Sequence, residues 1–497
     1  MSKNVEEGVK DSRPEAARKA VIDDLGTVLA THSLSLLPAN ALSARESGHE
    51  GDSMTARRPG QGLRLLFVHQ NFPSQYYHIA RRYAANPDNT VIALGDAANL
   101  RQRPAVPGVI LVGWELPPST PKANQHTHHY ARRFEADARR GQAAARVMAR
   151  LRDQGFTPDI ILVHPDWGEG LFIRLLWPDT PILAYAEHYD SLYDPALDFD
   201  PAFPATPDIR CAAQAANATR AITLADADHL QTPTRFQFQR LPASFQAKTS
   251  RLYDGINTAA FSPDPDAVLE LPPTKTAFNA ENAALPPWFP LRNDPLRLTR
   301  KETVITFINR TLEPWRGWHT FVRAIPHIQK AHPEAHFVIV GRTGGGYGPA
   351  PERGHWRDIF LAEQRAALDL SRLHFTGSVP PETIRAVLRV SCAHIYLSHP
   401  FFLSYSPVEA MSCACPLVLG DTEATREIAV HEQHALFADG LDPKAVGEAA
   451  RRLLDDEALA RRLGQAARAR AQEHYDSEVC LPQWERVIHH LVKEPSP

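Results

Sequence analysis

A chain of 497 residues exceeds what one hydrophobic core can hold, so two domains with additions are expected. Hydrophobic residues make up 43% and charged residues 22%, and the formal net charge is −3. That balance suits a globular protein and argues against nucleic acid as the main partner. No apolar run approaches the roughly 18 residues that a membrane span requires. The five cysteines (Cys211, Cys392, Cys413, Cys415 and Cys480) are scattered and odd in number, the usage of a reducing compartment. A cytoplasmic location is expected, with peripheral contact to the inner face of the membrane allowed. Cys413 and Cys415 form a C-x-C pair, but no second Cys or His pair with ligand spacing follows. They read as buried core thiols, and no metal and no cofactor are expected.

In chain order, residues 1–62 read as an N-terminal extension, partly disordered, with an amphipathic pattern over Val21–Leu37 and a linker composition over Ser43–Gly62. Met54 is an alternative start just before the first strand. From Leu63 the pattern becomes regular. LRLLFVHQ reads as a strand, NFPSQ as a turn and YYHIARRYAANP as a helix that Ser74 is placed to cap. TVIALGD, GVILVGWE, DIILVH and PILAYAEH read as strands, with an Arg-rich helix near His128–Gln154. Glu135, Asp137 and Asp153 interrupt the charge of that helix, so it reads as a solvated face. A helix near Ala212–Ala216 leads into RAITLAD, and Arg251–Pro265 reads as a strand, a turn and a Pro-rich hinge.

Residues 266–300 read as an irregular connector. The alternation restarts with VITFINR, a strand, and WHTFVRAIPHIQKAH, a helix in which Pro326 predicts a kink. HFVIVGR, LHFTG, AHIYLS and PLVLGD follow as strands, separated by helices, and CLPQWERVIHHLV closes the chain as an amphipathic helix. Strands alternating with helices mean βαβ units and parallel sheets. The expected fold is α/β, with two facing Rossmann-like doubly wound domains at 63–265 and 301–472 and a terminal helix at 473–497. In such sheets ligands bind at the carboxyl ends of the strands, so the interdomain cleft is the expected site.

Two segments carry the chemistry. Ile305–Gly317 places Arg310 and Arg316 on a loop after a buried strand, and arginine makes bidentate contacts to phosphate oxygens. The bland reading is a pair of surface arginines near Glu313. Leu403–Asp421 places one carboxylate, Glu409, in an apolar helix whose start is marked by Ser406 and Pro407. The amides of Ser404, Tyr405 and Ser406 at that start suit a diphosphate, and Glu409 suits ribose hydroxyls or the helix dipole. Glu427 reads as a helix-dipole carboxylate or structural partner. The Gly-rich run Gly341–Gly348 lacks both the P-loop and the dinucleotide spacing and reads as a rim loop, beginning at Gly341. His164 and Asp166 end one strand, and Glu187 and His188 end another.

Taken together, INRTLEPWRG, SPVEAM, Arg426-Glu427-Ile428, DGINTAAFSP and HFTGSVP resemble the GT-B retaining glycosyltransferases of family 4 over most of Leu63–Val492. The resemblance puts Arg310 and Arg316 on the family's Arg and Lys positions and Glu409 on the second Glu of E-x7-E. It implies that Ser378 and Val379 hold the base and that Asn71 stands where the family has a Gly-Gly turn. Phe401 occupies the position of the first Glu, and Ser404 that of a usual Gly. The activity implied is transfer of a hexose from a UDP- or GDP-sugar to a glycan, lipid-linked or other hydroxyl acceptor. Arg310, Arg316, Glu187 and His188 would be catalytic, the 63–265 domain would hold the acceptor, and the final helix would pack back on it. The alternatives are a non-catalytic nucleotide-sugar-binding or scaffold subunit and a GT-B sugar-nucleotide epimerase.

Overall fold

The computed structural model describes residues 62–117, 126–191, 194–274 and 284–493. The pattern at Val21–Leu37 and the alternative start at Met54 lie outside them. The chain divides into two compact units. One comprises residues up to Tyr185 together with Ala218–His229 and Ile488 onward, and the other comprises Ala186–Asn217 and Leu230–Val487.

In the first unit, β1 (Arg64–Val68), β2 (Thr90–Asp96), β3 (Val109–Trp114), β4 (Ile160–Val163) and β5 (Ile182–Tyr185) run parallel in the order β3-β2-β1-β4-β5. β4 and β5 are apolar and buried at every residue, as strands covered on both faces must be. The chain winds outward from β1 in one direction and from β4 in the other, so the switch point of this sheet lies between those two strands. Ser74 does not cap the following helix. It opens a 3-10 turn, Ser74–Tyr76, at φ 38°, and α1 (Tyr77–Ala84) begins without a side-chain cap. The intervening turn moves Ser74 too far ahead of the first free amides of α1.

In the second unit, β6 (His229–Thr232) pairs parallel with β7 (Thr249–Arg251). The segment read as irregular contains an antiparallel pair, β8 (Val268–Leu271) and β9 (Leu296–Thr299). Their alternation is short and separated by a long insertion, which hid it in the sequence. β10 (Val304–Thr311), β11 (His336–Arg342), β12 (Leu373–Gly377), β13 (Ala393–Tyr396), β14 (Leu417–Gly420) and β15 (Leu436–Ala438) form a parallel sheet ordered β12-β11-β10-β13-β14-β15. Alternate residues of β10 feed the two sides: Ile305 and Phe307 join one apolar cluster, Val304 and Ile308 the other. Its switch point lies between β10 and β13.

The connection leaving β10 is a 3-10 turn, Pro314–Arg316, followed by α2 (Trp318–Gln329), which continues through Pro326. Gly317 joins the two at φ 74°. A Cβ there would lie 2.3 Å from Cβ of Leu397, just past β13. The turn therefore sits against the β13 exit because this residue has no side chain. Gly317→Ala is expected to cost about 1–3 kcal/mol through strain and overlap. Chemical denaturation reads this directly, and an unchanged midpoint would mean that the turn relaxes freely.

Candidate active site

The second unit's switch point is framed by the loops after β10 and β13. Arg316 comes from the first loop and is only 2% exposed. Its Nη1 donates to Ser404 Oγ at 2.8 Å, and the backbone amide of Ser404 donates to Tyr396 Oη at 3.1 Å. The guanidinium lies over the rings of Phe401 (4.7 Å), Phe402 (4.8 Å) and Tyr347 (5.5 Å). Nε has no hydrogen-bond partner, and no carboxylate pairs with Arg316 among the described residues. A buried guanidinium without a counter-ion is costly, and an arriving anion removes that cost.

Ser404 precedes α3 (Tyr405–Ser412), and its side chain caps nothing, since it faces Arg316. Tyr405 donates its hydroxyl to Asp254 at 2.5 Å, and Ser406 donates to the Ile308 carbonyl at 3.3 Å. These bonds anchor the first turn of α3, whose free amides supply partial positive charge. Glu409, one turn later, is half-buried and has no hydrogen-bond partner among the described residues. Burial pushes its carboxyl up to about 7.

Glu313 is not an arginine partner. It is buried and accepts from Thr311 Oγ1 (2.9 Å), the Tyr347 amide (2.9 Å) and the Gly348 amide (2.8 Å). The Gly-rich run is thereby tied down onto the turn that carries Arg316. A Cβ at Gly346 would fall 2.1 Å from the Glu313 carboxylate, so only glycine permits the approach. Gly341 begins the run at φ 154°, where a Cβ would meet the Asn309 carbonyl at 2.8 Å.

The remaining expected residues lie outside this pair of loops. Arg310 is exposed at the end of β10, without a hydrogen bond or ion pair among the described residues. Ser378 is exposed and Val379 half-buried just past β12. Glu187 and His188 fall in the second unit. The Glu187 carbonyl accepts from Gln237 at 2.7 Å, and His188 pairs with Asp190 at 2.9 Å. Asn71 belongs to the first unit, where its side-chain carbonyl accepts from Asn99 at 2.9 Å. Glu427 is structural: its carboxylate accepts from the amides of Arg235 (2.7 Å) and Phe236 (3.1 Å) at a helix start. Cys413 and Cys415 are buried thiols pushed up to about 12 by burial.

The first unit gathers polar groups at its own switch point. His69 follows β1 and His164 follows β4, both fully buried, with ring centroids 5.0 Å apart. Burial, then the neighbouring His164, hold His69 well below its usual value. Asp166 pairs with Arg220 at 2.7 Å. Burial alone would raise its carboxyl, but the guanidinium charge prevails and lowers it. Glu169 is fully buried, and burial raises it to about 7. Of this cluster the sequence had pointed to His164 and Asp166 but not to His69 or Glu169, which sit in the turns HQNFPSQ and PDWGEG, where polar residues are ordinary.

Two α/β units with parallel sheets define the GT-B fold class. A sucrose-phosphate synthase from Thermosynechococcus elongatus shares the fold at 15% identity, TM-score 0.62, over 87% of this chain and 99% of that one. So does the Anabaena protein HepE, solved in complex with UDP-glucose, at 16% identity, TM-score 0.57, over 86% and 100%. The family models for the glycosyl transferase family 4 group and for glycosyl transferases group 1 match residues 87–261 and 293–470. The chain belongs to this family of glycosyltransferases. A glycogen synthase of Mycobacterium tuberculosis is 26% identical over 33% of this chain and 37% of its own length. A GDP-mannose-dependent phosphatidylinositol monomannoside mannosyltransferase of Mycolicibacterium smegmatis is 26% identical over 50% and 59%. The chain thus spans between about a third and three-fifths of these curated relatives.

The raised carboxyl of Glu409 has a consequence for stability. A carboxyl held near 7 in the folded state, against an ordinary 4.5, favours the protonated form. Its contribution is fully present below the unfolded value and is lost as pH rises through about 7. Glu409→Gln is therefore expected to stabilise the ligand-free protein at pH 8 by up to about 3 kcal/mol and to leave it unchanged near pH 4. Melts at the two pH values measure this. Equal shifts at both would show that the carboxyl titrates normally.

Proposed function

We propose that this protein is a retaining glycosyltransferase that moves a hexose from a UDP- or GDP-sugar to a glycan, lipid-linked or other hydroxyl acceptor, without a metal, in polysaccharide or glycoconjugate synthesis. The observation that carries the reading is Arg316: buried, without a carboxylate partner, and bonded to Ser404 at the start of α3. The donor diphosphate would supply its missing counter-charge. As the bond from the anomeric carbon to the leaving oxygen breaks, negative charge grows on the diphosphate. Arg316 and the α3 amides stabilise that charge more in the transition state than in the ground state. In a retaining reaction the leaving phosphate oxygen takes the acceptor's hydroxyl proton, so no separate general base is required. Glu409 would accept hydrogen bonds from the ribose hydroxyls, which offsets its burial.

The donor class is supported by HepE, solved with UDP-glucose, and by the mannosyltransferase named for GDP-mannose. For the acceptor, the switch point of the first unit supplies His69, His164 and Glu169 as polar groups at strand ends. Arg310 and the backbone near Ser378 and Val379 complete the proposed donor contacts.

The reading is tested by thermal shift against nucleotide sugars, with Arg316→Ala and Arg316→Lys in parallel. A donor at 100-fold over its Kd stabilises by about 2.7 kcal/mol. Arg316→Ala is expected to abolish the shift and to lower kcat/KM by about 100-fold or more, with Arg316→Lys intermediate. A donor-induced shift that survives Arg316→Ala would move the diphosphate elsewhere.

A further inference from the structure

Residues Asp194–Phe203 precede Arg316 by more than a hundred positions, yet they belong to the second unit and pack beside its switch point. Asp194 caps a single helical turn, Pro195–Asp198, by accepting from the Ala196 amide at 2.8 Å. The segment then turns on Asp200, whose Oδ1 accepts from the Ala202 amide at 2.8 Å. Its other oxygen, Oδ2, lies 2.9 Å from His319 Nε2 and 3.9 Å from His399 Nε2. The three residues are 5%, 3% and 2% exposed. Burial by itself would raise the Asp200 carboxyl, but the contact with His319 outweighs it, and the carboxylate stays charged. Burial brings His399 down to about 3, so that ring is neutral, and neither of its nitrogens has a hydrogen-bond partner among the described residues.

The two histidines flank the loop that holds Arg316. His319 is the second residue of α2, three positions after Arg316. His399 lies in the β13 exit, five positions before Ser404; its amide donates to the Trp315 carbonyl at 2.8 Å, and its own carbonyl accepts from the Phe401 amide at 2.9 Å. Rings continue the contact: Phe199 to His399 at 4.8 Å, Trp315 to Phe401 at 5.6 Å, and Phe203 to His319 at 5.6 Å. The segment thus touches both the α2 start, through Asp200 on His319, and the β13 exit, through the Phe199 ring on His399, the two segments between which Arg316 reaches Ser404. We infer that Asp200 is a positioning residue for the donor diphosphate: held on His319, it fixes the turn that seats Phe199 on His399 and so sets the spacing of the loops that present Arg316 and Ser404. This rests on the donor reading of Arg316. A group that reacts with nothing sets donor affinity because its loops must otherwise be ordered at the moment of binding.

The test compares wild type, Asp200→Ala, Asp200→Asn and Arg316→Ala for binding of UDP-glucose and GDP-mannose by calorimetry, at a temperature where circular dichroism shows each fully folded. The expected result is a Kd about tenfold weaker in Asp200→Ala, a smaller loss in Asp200→Asn, which keeps the turn to Ala202, and no measurable binding in Arg316→Ala. A folded Asp200→Ala that binds within about twofold of wild type overturns the inference and leaves the donor site standing. Wild type that binds neither sugar nucleotide, or Arg316→Ala that binds as wild type does, overturns the donor site and the inference with it. Should Asp200→Ala not fold, Asp200→Asn and His319→Gln carry the same comparison.

Discussion

The second unit is organised around one unmatched charge. Arg316 is removed from water, faced by three aromatic rings and given one hydroxyl partner, but no carboxylate among the described residues. Contact with aromatic faces returns about 0.5–2 kcal/mol, far less than hydration of a guanidinium provides. The surrounding structure must hold this arrangement against its tendency to open. Glu313 ties the glycine loop to the turn, Gly317 lets the turn press on the β13 exit, and the capping of α3 is given up so that Ser404 can face the guanidinium. Each of these is a local cost accepted at one point of an otherwise well-packed sheet, which is how strained sites persist.

Glu409 repeats the logic with the opposite sign. A carboxyl pushed to about 7 by burial alone has nothing in the protein that favours its ionised form. Among the described residues, the site therefore holds a cation without a carboxylate partner and an acid without a hydrogen-bond partner, and both belong to loops or helices leaving adjacent strands β10 and β13. Stability that the fold forgoes here is available to whatever supplies an anion and hydroxyls together.

Much of this was legible in the sequence because the strands are apolar on both faces and the loops between them are short. VITFINR and the helix after it announce β10 and α2 by period alone, and a lone Glu in SPVEAM stands out against its neighbours. What stayed hidden depends on tertiary contact. Arg310 and Arg316 look alike in the sequence, yet one is exposed and the other buried, because only the second falls inside a turn pressed on β13. The pair β8 and β9 escaped because its strands are four residues each and widely separated. Asp200 carries no local signal of this role: in DFDPAF it is one of two acidic residues beside a proline, and its histidine partner lies over a hundred residues away.

Phe401 shows why a departure from a family pattern need not mean a lost site. A carboxylate at that position, with the guanidinium of Arg316 only 4.7 Å from the present ring, would sit within ion-pairing reach in a poorly hydrated pocket. It would pair with the guanidinium and leave its charge matched. A phenyl ring in its place shields the guanidinium from water through its face and accepts none of its N–H groups. The ring also packs on Trp315, Tyr347 and Phe402, so the wall of the site becomes part of the aromatic cluster that keeps the Arg316 turn in place. Phe401 thus serves the packing of the turn and leaves the guanidinium without a counter-charge at that position.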